Sequence, residues 1–283
     1  MPELPEMPET AHAAETAHAA ETAHAAETAH AAETAHAAET AEMHDALETQ
    51  ETAEMPPSLA PTTGLGVLHL FCRAPGGVDV PAVLEAETAA RKAGAQVVAA
   101  SILGHKADVA LMVLGPDLWQ LRRFQSGVAA AGLEPISSYV SLTEVSEYAA
   151  GLPDELKQSR LYPQLPPEGK PAFCFYPMSK RRGSAPESHN WYVLDYEDRL
   201  ELMVKHGRIG RQFHGRVLQL VTGSVGLDDF EWGVTLFAVH PDDLKECVYQ
   251  MRFDRASALY ADFGPFYTGM VADLETVLAS APR

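Results

Sequence analysis

Two stretches of the chain carry the same order of hydrophobic signals, and this repetition limits the fold more than any other feature. In the first, the apolar run Gly66–Arg73 predicts a strand, and Pro81–Gly94 a helix with Pro at its start and Gly at its end. Gln96–Leu103 and Val109–Leu114 predict two strands joined by the short GHKAD connection. Asp117–Ala131 predicts a helix closed by Gly132, and Ile136–Leu142 a further strand. The second stretch begins with a strand over Ala172–Lys180 and a helix from Asp195 to His206, where His206-Gly207 reads as its end. Strands over Arg216–Thr222 and Glu231–Val239 follow, then a helix from Pro241 to Asp262 and an extended segment over Pro265–Met270. Each order is β-α-β-β-α-β, the ferredoxin-like unit. The expected fold class is therefore α+β, with two tandem ferredoxin-like units whose sheets pack together. The expected division is 63–150 and 172–283 for the two units, with 151–171 as an irregular, Pro-containing connection.

The repeat that fills residues 9–38 cannot bury a core of its own. Residues 9–38 are five copies of ETAHAA, and no apolar side chain larger than Ala occurs in them. A six-residue step turns about 240° around a helix, so the repeated histidines share no single face. Residues 1–62 read as a disordered acidic tail, with metal binding by the histidines as the alternative. Thirteen acidic residues and no Lys or Arg fall in residues 1–56, so that segment holds most of the net charge of −18. The rest is only mildly acidic and offers no basic footprint for nucleic acid.

Several other classes are excluded on composition. Cys72, Cys174 and Cys247 form no CxxC pair, which argues against a disulfide framework or a structural zinc site. No basic segment leads into an apolar one at the N-terminus, so no signal peptide is expected. No apolar run approaches about 18 residues, so no membrane span is expected, and the cytoplasm is the default location. Neither a P-loop nor a G-x-S-x-G elbow is present.

The residues that could carry chemistry lie in the second stretch. Strand alternation in AFCFYPMSK places Cys174, Tyr176, Met178 and Lys180 on one face and Phe173 and Phe175 on the other. Such a Tyr with a cation nearby could be a redox-active phenol, or simply a hydroxyl reaching solvent. His206 shares a helix face with Leu202 and Met203 and has no HxxxH or HxxE partner. A lone His is insufficient for zinc but sufficient as the axial ligand of an iron already held by a porphyrin. Gln219 shares a strand face with Val217 and Val221, where another apolar residue is expected. Arg160, Lys180 and Arg252 are cations able to bind carboxylates, or ordinary solvated surface. The residues alone point to a two-unit α+β domain with a possible tetrapyrrole pocket.

The segments YPMSKRR, NWYVLDYEDRLELMVKHG, TGSVGLDDFEWGVTLF and YQMRFDRASALYADFGPF closely resemble the coproheme decarboxylases of the chlorite dismutase superfamily, in the type with a catalytic Tyr. The resemblance covers roughly residues 63–275 and is most specific from Ala172 onward; the tail has no counterpart. It implies two ferredoxin-like units of the dimeric α/β-barrel type, assembled as a homopentamer. It also implies coproheme (iron coproporphyrin III) as both substrate and redox centre, hydrogen peroxide as oxidant and haem b as product. Two propionates become vinyls through a three-propionate intermediate, and contact with a coproporphyrin ferrochelatase belongs to the same expectation. By motif position, His206 matches the proximal iron ligand, Tyr176 the radical-forming tyrosine and Lys180 a lysine assisting the second decarboxylation. Met178 lines the same propionate side, Gln219 matches the distal glutamine, and Ser257, Arg252 and Arg160 match polar contacts to the porphyrin. The chlorite-degrading branch resembles this one in fold but uses an Arg at the Gln219 place, so chlorite chemistry is disfavoured. A haem-binding protein without turnover remains the alternative.

Overall fold

The computed structural model describes residues 57–149, 151–184 and 189–282. The ETAHAA repeat and most of the acidic tail lie outside the described residues. The elements of the first half are β1 (Gly66–Arg73), α1 (Val80–Lys92), β2 (Gln96–Ile102), β3 (Val109–Gly115), α2 (Leu118–Ala130) and β4 (Glu134–Thr143). A 3-10 turn (Glu147–Ala149) and α3 (Asp154–Leu161) follow. The second half contains β5 (Ala172–Lys180), a 3-10 turn (Trp191–Val193), α4 (Tyr196–Arg211), β6 (Val217–Gly223) and β7 (Trp232–Ala238). It ends with α5 (Pro241–Met251), α6 (Arg255–Ala258), β8 (Ala261–Phe263), β9 (Tyr267–Ala272) and α7 (Leu274–Ser280).

The strands follow the order β7-β6-β4-β1-β3-β2-β9-β5-β8, and β7 also pairs with β5. The β7–β5 pairing closes eight antiparallel strands into a barrel, with β8 attached outside it. Each half contributes the ferredoxin-like arrangement: β4-β1-β3-β2 from the first, β9-β5-β7-β6 from the second. The two are joined edge to edge through β4–β6 and β2–β9, which leaves no open barrel edge. The expected α+β class with two ferredoxin-like units is what the chain adopts.

Strand alternation sorts side chains into three cores. Val67, Phe71, Met112, Phe173, Phe175 and Phe237 fill the barrel interior. Leu68, Leu70, Leu111 and Val113 face outward under α1, α2 and α7. Cys174, Tyr176, Val234 and Leu236 face outward on the other side, where Leu244 of α5 packs on them. The first described residues are tied to this fold, because the Leu59 N–H donates to the Asp117 carboxylate and its carbonyl accepts the Leu118 N–H.

Four expectations about elements need correction. The helix expected to stop at His206-Gly207 continues to Arg211, with Arg208 and Arg211 near its C-terminal dipole end. Gly207 and Gly210 lie inside the helix and do not terminate it. The helix expected over Pro241–Asp262 breaks after Met251, because the Asp254 side chain accepts the Ser257 N–H and starts a new helical turn. The connection before Ala172 contains α3, and α7 follows the last strand.

Candidate functional site

The site grows from the outward face of β5, β6 and β7. Strand register aligns Tyr176 with Val234 and Val221, and Cys174 with Leu236 and Gln219. Tyr176 and Gln219 therefore stand on one face, two strands apart. Gln219 and Val221 are exposed and Val217 is half-buried, so the β6 part of this apolar face lacks full cover. Tyr176 is buried, stacked on Phe266 at 4.4 Å and edge-on to Phe263 at 5.7 Å. Burial pushes its phenol above the ordinary range, with Cys174 and Cys247 adding to the rise and Arg252 opposing it. Met178 follows on the same face, between Trp232 and Phe263 in the register.

Lys180 is the last residue of that face and is only 8% exposed. Its Nζ donates to the Ala256 carbonyl at 3.2 Å and stands 4.1 Å from the centre of the Trp191 ring. Burial pushes the ammonium down to about 8, with Asp254 and Glu231 pulling the other way.

His206 comes from α4, a helix without one buried residue, although Leu202, Met203, His206 and Ile209 are half-buried along one side. A helix of a folded domain ordinarily buries such a stripe. This one packs mainly against α5, α6 and the turn at Glu147–Ala149. The His206 Nδ1 lies 2.9 Å from the Asp254 Oδ2, and Asp254 is itself buried. If Nδ1 carries the proton, it donates to the carboxylate and leaves the Nε2 lone pair free. That donor set fits an axial iron ligand, because ligating histidines commonly give their other N–H to a carboxylate. Among the described residues no three or more His, Cys, Asp or Glu side chains gather as a metal cage. An iron held by four porphyrin nitrogens does not require one.

The structure thus links several expected residues. Tyr176, Met178 and Lys180 share one strand face; Lys180 contacts the 254–257 turn through Ala256; Asp254 of that turn holds His206. Ser257 is buried in the same turn, its N–H given to the Asp254 Oδ2 at 3.2 Å. Arg252 caps α5, is exposed, and lays its guanidinium 5.2 Å over Phe263, the ring that meets Tyr176. Arg160 stands apart: it is exposed on α3, and no hydrogen bond or ion pair among the described residues ties it to the others. Asp254, Glu231 and Trp191 escaped the sequence reading. For Asp254 a signal existed, since Asp-x-x-Ser is a helix-start pattern. Nothing local distinguishes Glu231 or Trp191.

A family model described as chlorite dismutase matches residues 79–272. A coproheme decarboxylase of Staphylococcus saprophyticus is 48% identical over 181 residues, covering 60% of this chain and 71% of that protein. A protein of Natronomonas pharaonis, named as heme-binding, is 46% identical over 202 residues, covering 64% of this chain. The match spans only 33% of that longer relative. Among solved structures, a heme-binding protein from Thermus thermophilus aligns with a TM-score of 0.63 at 34% identity, covering 79% of this chain and 96% of the other.

Proposed function

The chain belongs to the chlorite dismutase family, and within that family we propose that it is a coproheme decarboxylase, converting iron coproporphyrin III to haem b with hydrogen peroxide. The observation that carries this reading is the linkage of a buried Tyr176, a buried Lys180 and a carboxylate-oriented His206 through one turn.

In this reading His206 holds the iron through Nε2, and Asp254 fixes the ring and strengthens its donation. Bound coproheme with peroxide supplies the oxidising equivalents. Tyr176, kept protonated by its apolar surroundings, gives up an electron and a proton together. The resulting phenoxyl radical would take a hydrogen atom from the β-carbon of a propionate, restoring the phenol, and the remaining electron of that carbon would pass to the oxidised coproheme as carbon dioxide leaves and the vinyl forms. Lys180 supplies positive charge for the second propionate, and Met178 lines the approach to it. Ser257, Arg252 and Arg160 serve the porphyrin carboxylates; for Arg160 that role rests on motif position alone. Gln219 offers a neutral amide over the distal side. An Arg there would hold an oxyanion better, which places chlorite degradation behind this reading.

The finer parts of the proposal are two successive decarboxylations through a three-propionate intermediate, a homopentamer, and transfer of coproheme from a coproporphyrin ferrochelatase in the cytoplasm. No described helix is long and apolar enough to cross a membrane. The experiment is incubation with iron coproporphyrin III and peroxide, followed by product masses. Loss of two carboxyl groups supports the enzyme; bleaching with no such loss identifies a haem binder.

A further inference from the structure

We infer that Glu231 is a positioning residue for Lys180, clamping the end of β5 through the lysine's own backbone N–H and setting a carboxylate on the β7 side of that residue. The inference rests on the functional reading above.

The β5–β7 ladder ends at Met178 opposite Trp232, so the next N–H of β5 pointing that way, from Lys180, has no strand partner there. The Glu231 side chain fills the gap, its Oε2 accepting the Lys180 N–H at 2.7 Å. The Glu231 backbone N–H goes to the Met178 carbonyl at 3.1 Å, and the Ser179 Oγ lies 3.2 Å from the same nitrogen. One residue thus grips three consecutive positions of β5. Glu231 is 7% exposed, and a carboxylate so deeply placed is costly unless hydrogen-bonded. A backbone N–H given to a charged acceptor is a strong form of such a bond.

The clamp also has an electrostatic consequence. Lys180 lies against the Trp191 ring and the Ala256 carbonyl, an environment that by burial alone favours the neutral amine. The carboxylates acting on the ammonium are Glu231 from the β7 side and Asp254 from the α6 side. Asp254 is shared with His206 and the Ser257 N–H, whereas the Glu231 Oε2 goes to the β5 end. Arg181 and Arg182 follow along the chain, Arg182 lying 3.9 Å from Glu231, and Tyr192 adjoins the same carboxylate. Tyr260 meets the Trp191 ring edge-on at 5.4 Å. Without Glu231, Lys180 loses both its backbone anchor and one of two charges that keep it an ammonium.

The test uses the full chain without porphyrin, labelled with 13Cε-lysine, the Lys180 signal being assigned by its loss in Lys180→Arg. The expected result is a lower Lys180 titration midpoint in Glu231→Gln. A fall of about one pH unit, from near 8, would cut the charged fraction at pH 7 roughly twofold. An unchanged midpoint overturns the inference. Glu231→Asp keeps the charge but shortens the reach; faster hydrogen exchange at the Lys180 amide is expected, and unchanged exchange overturns the clamp even if Glu231→Gln does not fold. A lowered midpoint in a chain whose wild type leaves coproheme unconverted supports the positioning role and refutes the functional reading instead.

Discussion

His206 and Asp254 are joined by a 2.9 Å contact between Nδ1 and Oδ2, although 48 residues separate them. The carboxylate is buried and also caps the turn that holds Ser257. In Asp254→Asn the side-chain oxygen can still accept the Ser257 N–H, so the change falls on the imidazole rather than on the turn. Asp254→Asn is expected to weaken iron-porphyrin binding about 10- to 100-fold and to lower the iron–histidine stretching frequency of the reduced complex. Resonance Raman spectroscopy and a binding titration check this. An unshifted stretch would remove Asp254 from the ligand's support.

Lys180 gives a prediction with a definite sign in pH. Its ammonium is pushed down to about 8 by burial, so the charge is held below that pH and lost above it. If the charge serves the second decarboxylation, that step should slow as pH rises through about 8, while the first step does not follow the same curve. Lys180→Ala should accumulate the three-propionate species at every pH. Time-resolved mass spectrometry reads both, and a second step indifferent to Lys180→Ala would refute the assignment.

A third prediction concerns stability. His69 is enclosed in the barrel, its Nε2 3.0 Å from the Thr235 Oγ1 and its Nδ1 without a partner among the described residues. Burial pushes it down from 6.5 to about 3. The folded chain thus binds fewer protons at this site than the unfolded chain between those values. Stability is unaffected above 6.5 and declines as pH falls below it, by an amount on the order of a few kcal/mol by pH 3. In His69→Gln this part of the acid sensitivity should vanish. Urea unfolding at about pH 7 and about pH 4.5 measures the difference on either side of the unfolded midpoint. An identical acid loss in both chains would contradict it.

Much of the fold was legible because its signals are local. Period-two alternation in AFCFYPMSK correctly separated Tyr176 and Cys174 from Phe173 and Phe175. The order of strands and helices was enough for two ferredoxin-like units. The end of α4 was not legible, since Gly207 and Gly210 carry the usual stop signal but lie inside the helix, which runs on to Arg211. The site was legible only where a motif marked it. Asp254 and Glu231 act through contacts to His206 and Lys180 that are 48 and 51 residues distant, and no periodicity reports such a pairing. The joining of the two halves through β4–β6 rests on two residue pairs and likewise leaves no trace in composition.

The most direct test of the account is Tyr176→Phe, which keeps the ring that stacks on Phe266 and removes only the oxidisable hydroxyl. With iron coproporphyrin III and peroxide, the wild-type chain should yield haem b. The variant should bind the porphyrin with an unaltered absorption band yet retain all four propionates by mass. Conversion of coproheme to haem b by the Tyr176→Phe chain would contradict the account.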